Sequence, residues 1–208
     1  MSVVIDPCAG TAPEAWAAKG LVRITEFDDS PVWDAMLVEA RAYEPFATVR
    51  RFDGLASYRD GSLASSQRCR AHVGGEVIRR FATSRALVEA VRAATSMKGL
   101  VPARFGYKYY AAGDYMGIHR DAVRCDVTFT FGVTPNLGSM KWAPQLRGAS
   151  NEEILRLAER EGLFPSVGEP VAVPSGTLQG FDGYNIPHWR EPFEHDFGIL
   201  GTICFFDL

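Results

Sequence analysis

Two hydrophobic textures succeed one another along the chain, and the change falls near residue 100. Before it, apolar positions recur at helical spacing. Val32, Trp33, Met36, Leu37, Ala40 and Tyr43 share one face behind Ser30-Pro31, which offers an N-cap followed by a proline at the first helical position. Leu87, Val88, Val91 and Ala94 form a second stripe and predict a helix over 84–97. Between the two, residues 50–75 are rich in Gly, Ser and Asp and read as loops with, at most, a short hairpin.

From Arg104 onward the pattern turns to aromatic and β-branched runs, at 104–121, 125–136, 169–183 and 198–208. Ala111-Ala-Gly-Asp, Thr134-Pro-Asn-Leu-Gly, Pro174-Ser-Gly and Phe181-Asp-Gly supply turns. One helix interrupts the strands: Ser150 and Glu153 make a capping box, Ile154, Leu155, Leu157 and Ala158 the buried stripe, and Gly162 the stop. Seven or eight short strands with helices ahead of them predict a mainly β fold with flanking helices (α+β), a jelly roll or related barrel buttressed by N-terminal helices.

Length refines this picture. At 208 residues and 47% apolar, the chain suits one core. The expectation is a single domain over 1–208, with 1–100 as helical and loop support and 101–208 as the jelly-roll core. A net charge of −3 without a run of Lys or Arg argues against nucleic acid or an anionic membrane as partner. The first residues lack the basic start and apolar core of a signal peptide, and no window resembles a membrane span, so a cytoplasmic location is expected. Cys8, Cys69, Cys125 and Cys204 are widely spaced, which favours reduced thiols over disulfides or a zinc site.

Candidate chemistry begins at His119-Arg-Asp. Residues two apart in a strand project from one face, so His119 and Asp121 point together and Arg120 points away. A lone His-x-Asp triplet is common, but His188 follows a later turn and stands before another run able to enter the sheet. Two histidines and a carboxylate compose the facial triad of non-haem iron sites, which leaves the remaining octahedral positions open.

On these residues the second half, about 104–208, resembles the iron(II)- and 2-oxoglutarate-dependent oxygenases. His119-Arg-Asp121 matches their H-x-D element and His188 their distal histidine. The runs C-D-V-T-F-T-F at 125–131 and F-D-G-Y-N-I-P-H-W-R-E-P-F at 181–193 resemble a subgroup of small oxygenases with an H-W-R-E-P-F signature. The resemblance implies a double-stranded β-helix and an Fe(II) site made of His119, Asp121 and His188. It also implies 2-oxoglutarate as cosubstrate and O2 as oxidant, with decarboxylation to succinate coupled to oxidation of a substrate C–H bond.

The same resemblance calls for a basic residue on the 2-oxoglutarate distal carboxylate. The family usually places it on the strand after the distal histidine, yet residues 197–208 contain none. Arg190, on the face of His188 if that strand is regular, is the replacement; a surface pair with Glu191 or Glu194 is the equal alternative. Arg124 and Tyr109 are further cosubstrate candidates, although Tyr107, Tyr109 and Tyr110 read equally well as core. Related halogenases carry a small residue where Asp121 stands, so Asp121 implies oxygenation, desaturation or ring closure, with hydroxylation the default.

The remaining features read more plainly. His72 and His195 are expected at the surface, Trp189 behind the site, Trp142 in core or lid, and Arg120 at the surface or facing a lid. Loops over 44–82 and 134–168 are expected to line the entrance. Their Arg50, Arg51, Arg68, Arg70, Lys141 and Arg147 point to a small, carboxylated or otherwise anionic substrate, or to solvated charges. The alternatives are a cupin-like metal-binding jelly roll that is not an oxygenase and a hydroxylase of protein side chains. Oligomeric state is left open.

Overall fold

The computed structural model describes residues 11–59 and 62–208; Cys8 and the amino-terminal segment read above lie outside the described residues. In chain order the elements are α1 (Ala12–Lys19), β1 (Leu21–Ile24), α2 (Val32–Tyr43), β2 (Thr48–Arg59), β3 (Ser62–His72), α3 (Glu76–Ala82), α4 (Arg85–Thr95) and β4 (Leu100–Ala111). They continue with β5 (Tyr115–His119), β6 (Val127–Gly132), β7 (Ser139–Trp142), α5 (Asn151–Glu161), β8 (Glu169–Ala172), β9 (Leu178–Phe181), β10 (His188–Arg190) and β11 (Phe197–Asp207). No helix among the described residues is long and apolar enough to cross a membrane.

The strands form one antiparallel path, β1-β9-β6-β11-β4-β3-β5-β10-β7-β8, with β2 on the free side of β3. The path doubles over at β3, where residues 70–72 pair with β4 and residues 67–68 with β5. Long strands then face short ones across an interior, which is the jelly-roll architecture expected from the alternating runs.

Strand alternation sorts the side chains onto two faces. On the outer face of the long strands, Phe129, Phe131, Ile199 and Ile203 pack against Met36, Ala40, Leu87 and Val91 of the helices. Each such aliphatic side chain contributes about 1.5–3 kcal/mol when fully buried. The inner face joins Tyr110, Phe181 and Leu200 to Met140, Trp142 and Val171 of the short strands. On the far side of those short strands, α5 sets Ile154, Leu157 and Ala158 against Ile118 and Trp189.

Helices α4 and α5 start where their caps predict, and α2 starts one residue later than expected, with Pro31 and not Ser30 at its cap. Ser84 Oγ accepts from Leu87 N–H at 3.2 Å, and Ser150 and Glu153 form the reciprocal box at the head of α5. Ser30 Oγ accepts from Val32 N–H at 3.4 Å, with Pro31 at the cap position of α2.

One stretch departs from expectation. Residues 50–75 are not loops: most of them form the long hairpin β2–β3, and β3 joins the sheet between β4 and β5. Arg, Ser and Gly have weak strand propensity, but pairing on both edges of β3 overrides it. Buried Leu63, Ser66 and Cys69 mark its inward contacts. Together with β1, which pairs with β9, the first hundred residues supply strands as well as helices.

Candidate metal centre

Strand β5 ends at His119, yet the chain stays extended beyond it. Arg120 N–H donates to Leu63 O at 2.9 Å and Asp121 N–H to Gly183 O at 2.8 Å, so successive amides bond to opposite sides. His119 and Asp121 therefore project together, as their spacing predicts. Antiparallel pairing of β10 with β5 sets His188 directly opposite His119. In that ladder Arg190 faces Met116, so two steps on β10 match three on β5. The resulting bulge lets Met116 and His119 both line the cavity while Ile118 turns out to the α5 core.

His119, Asp121 and His188 bring three ligand atoms within 4.8 Å of one another. The imidazole centroids are 4.2 Å apart, and His188 Nε2 lies 3.7 Å from Asp121 Oδ1. Each Nδ1 faces a carbonyl two residues back: His119 on Gly117 O at 2.9 Å, His188 on Ile186 O at 3.1 Å. A carbonyl can only accept, so both rings carry the proton on Nδ1 and turn the Nε2 lone pair to the centre.

The surroundings favour the metal-binding protonation states. Burial, reinforced by the neighbouring His188, holds His119 far below the usual imidazole value. For Asp121, burial pushes upward, but His188, His119 and the Thr128 hydroxyl together bring it below the ordinary carboxylate value. Two imidazole nitrogens and a carboxylate oxygen converging on one point suit a divalent first-row metal and leave coordination positions open.

The triad lines a cavity between the long and short strands. Lys108, Tyr110, Thr130 and Arg190 line it as well. Arg190 is 5% exposed and has no carboxylate partner among the described residues. Its Nη1 donates to Leu137 O at 2.5 Å, and its guanidinium lies 5.3 Å from the centre of the Tyr110 ring. Burial pulls the Arg190 pKa down and pushes the Tyr110 phenol up. Thr130 Oγ1 is buried without a hydrogen-bond partner and the buried Tyr110 hydroxyl faces the Arg190 guanidinium, so both are polar groups in the region a ligand would fill.

Other residues singled out by the sequence lie elsewhere. Tyr109 turns its hydroxyl to Ala40 O at 2.8 Å, within the helix-backed core, where burial pushes its pKa up to about 12. Because β4 alternates, the cavity wall receives Lys108 and Tyr110 instead of Tyr109. Arg124 sits in an exposed turn at φ 70° with its guanidinium 5.7 Å from the Phe206 ring, outside the cavity. Arg190 does not form the surface pair read as its alternative, because Glu191 faces Lys141 at 3.9 Å.

Three of the cations that the sequence placed in entrance loops are balanced locally, and two of them, Arg68 and Arg70, lie on strand β3. Arg68 meets Asp114 at 2.8 Å, Arg70 meets Glu44 at 3.0 Å and Arg147 meets Asp182 at 3.7 Å. None of these three lines the cavity, nor do Arg50 and Arg51, exposed on β2. His72 stacks on Tyr43 at 4.4 Å, and His195 is exposed. Trp189 packs beneath α5, while Trp142 is buried with its indole N–H on Lys19 O. Arg120 hydrogen-bonds the Asn151 side chain and lies 6.0 Å from the Tyr184 ring.

No known family model matches the chain, and no curated protein matches it. Solved structures do. A Pseudomonas putida prolyl-4-hydroxylase aligns with TM-score 0.59 at 14% identity, over 95% of this chain and 97% of its own. The non-haem α-ketoglutarate-dependent epimerase SnoN from nogalamycin biosynthesis aligns with TM-score 0.64 at 15% identity, over 92% and 79%. HygX from Streptomyces hygroscopicus, with nickel, 2-oxoglutarate and hygromycin B bound, aligns with TM-score 0.62 at 11% identity, over 93% and 85%. The chain thus has the fold seen in 2-oxoglutarate-dependent oxygenases.

Proposed function

We propose that the protein is an Fe(II)- and 2-oxoglutarate-dependent oxygenase that oxidises a C–H bond of a small molecule, with hydroxylation as the default outcome. One observation carries the reading. A triad of His119, Asp121 and His188, its histidines oriented by backbone carbonyls, shares a cavity with a buried arginine that has no counter-ion among the described residues.

When bound, Fe(II) and 2-oxoglutarate supply the oxidation: 2-oxoglutarate and O2 yield succinate and CO2, and one oxygen atom enters the substrate C–H bond. The protein's part is to bind and orient. His119 and His188 would hold the metal through Nε2 and Asp121 through a carboxylate oxygen, a three-ligand set that would leave positions for cosubstrate and O2. Arg190, with Tyr110 and Thr130 beside it, offers charge-assisted and neutral donors to the distal carboxylate of the cosubstrate. Buried side chains around the cavity exclude water, which strengthens those contacts.

HygX binds hygromycin B and SnoN nogalamycin RO in their solved structures, while a prolyl hydroxylase from Trichoplax adhaerens binds a peptide fragment, so the choice of a small-molecule substrate rests on the cavity of this chain. A cavity enclosed between the two sets of strands suits a compact ligand better than an extended chain. A non-oxygenase cupin-like module would leave the buried Arg190 without a role. Succinate formation from 2-oxoglutarate, with and without Fe(II) and over a panel of small carboxylated and sugar-containing compounds, tests the proposal. Fe(II)-dependent succinate is expected; its absence at every Fe(II) concentration would overturn the reading.

A further inference from the structure

Both histidines of the triad are fixed by backbone carbonyls, but the Asp121 carboxylate needs a different holder. Its two oxygens are treated unequally. Oδ1 faces His188 Nε2 at 3.7 Å, on the side of the centre. Oδ2 accepts a hydrogen bond from Thr128 Oγ1 at 2.6 Å. Thr128 lies on β6, cross-strand from Phe181 and Cys204, and is 7% exposed, so water has little access to compete. Its hydroxyl also lies 3.5 Å from Cys204 Sγ. A carboxylate can only accept, so the Thr128 proton goes to Oδ2 and the thiol is left to donate back to Oγ1.

Gly183 closes the other side. Its carbonyl accepts from Asp121 N–H at 2.8 Å, and a Cβ at this position would stand 2.0 Å from Asp121 Oδ2 and 3.1 Å from His188 Cε1. Only a residue without a side chain leaves Oδ2 its slot. Oδ2 is thus held between a hydroxyl and a glycine, and Oδ1 alone is presented inward.

We propose that Thr128 and Gly183 are positioning residues that hold Asp121 to coordination through one oxygen, which keeps a metal position open for other ligands. A carboxylate free to rotate can chelate through both oxygens and take up that position. This rests on the triad being a metal site, and partners of this kind typically shift metal affinity by about 10- to 100-fold.

Metal-free protein titrated with Co(II), followed by calorimetry and by visible ligand-field absorption, separates the two ideas. Wild type is expected to bind one equivalent. Thr128→Val keeps the shape and strand propensity but loses the hydroxyl; it should change Co(II) affinity by about 10- to 100-fold and shift the absorption spectrum toward the higher coordination number of a chelating carboxylate. Thr128→Ser should restore both, which a merely structural role for the methyl group would not do. Gly183→Ala should change binding at least as much as Thr128→Val. Wild-type affinity and spectrum in Thr128→Val would overturn the clamp while leaving the triad intact. Should Thr128→Val not fold, Gly183→Ala decides alone, and wild-type binding there overturns the clamp. A wild-type protein that binds no Co(II) overturns the metal reading and the clamp with it.

Discussion

Arg68, Arg70 and Arg147 each meet a carboxylate and keep side-chain exposures of 48%, 38% and 36%, whereas Arg190 is 5% exposed and meets none among the described residues. The arginine end of each pair is open to solvent, and the Arg70–Glu44 pair, open at both ends, contributes at most about 1 kcal/mol. Keeping a guanidinium out of water without a counter-ion costs several kcal/mol, and one carbonyl with one aromatic face offsets only part of that. Charge alone therefore does not mark an anion site; an unbalanced charge facing a cavity does. In the sequence all four residues look alike, and the paired arginines, being more numerous, attract the functional reading.

Substitutions at the triad, around Arg190 and at the paired arginines can break or sharpen this contrast. The largest effect is expected at the triad. His188→Ala should abolish turnover and weaken Co(II) binding by more than about 100-fold, the upper range for loss of an outer partner alone; full activity in this variant would remove the triad from the account. Arg190→Met comes next. It should weaken 2-oxoglutarate binding roughly 10²- to 10³-fold, the equivalent of about 3–4 kcal/mol for an unpaired buried carboxylate. Cation affinity should survive, and an unchanged cosubstrate requirement would return Arg190 to a structural role.

Tyr110→Phe removes a neutral donor and should raise the cosubstrate requirement by about fivefold, or about 1 kcal/mol; the same change at Tyr109 should leave it unaltered. Smallest of all, Arg70→Met should not move the 2-oxoglutarate requirement and should lower stability by no more than about 1 kcal/mol in a thermal melt. A large cosubstrate effect there would erase the contrast between the two kinds of arginine.

The triad was legible because two simple periodicities determine it. Strand alternation joins His119 to Asp121, and the turn before His188 delivers that residue to a neighbouring strand. The choice between Tyr109 and Tyr110 was not legible in the same way. Strand β4 is buried on both faces, by helices on one side and the cavity on the other, so hydropathy carries no phase. Lys108 was the available signal, a single charge within an aromatic run whose neighbours two residues away share its face. The hairpin β2–β3 was hidden because its Arg- and Ser-rich residues form strands through pairing with β4 and β5, which local propensity does not register. Thr128 and Gly183 read as an ordinary strand residue and an ordinary turn glycine until the Asp121 carboxylate is placed between them.

The central claim is that a metal and Arg190 hold 2-oxoglutarate between them, and anaerobic calorimetry of 2-oxoglutarate binding tests it most directly. Wild-type protein loaded with Fe(II) or Co(II) should bind one equivalent, metal-free protein should bind far more weakly, and metal-loaded Arg190→Met should lose most of the affinity while keeping its cation. Binding of equal strength with and without the metal, or none in the loaded wild type, would contradict the account.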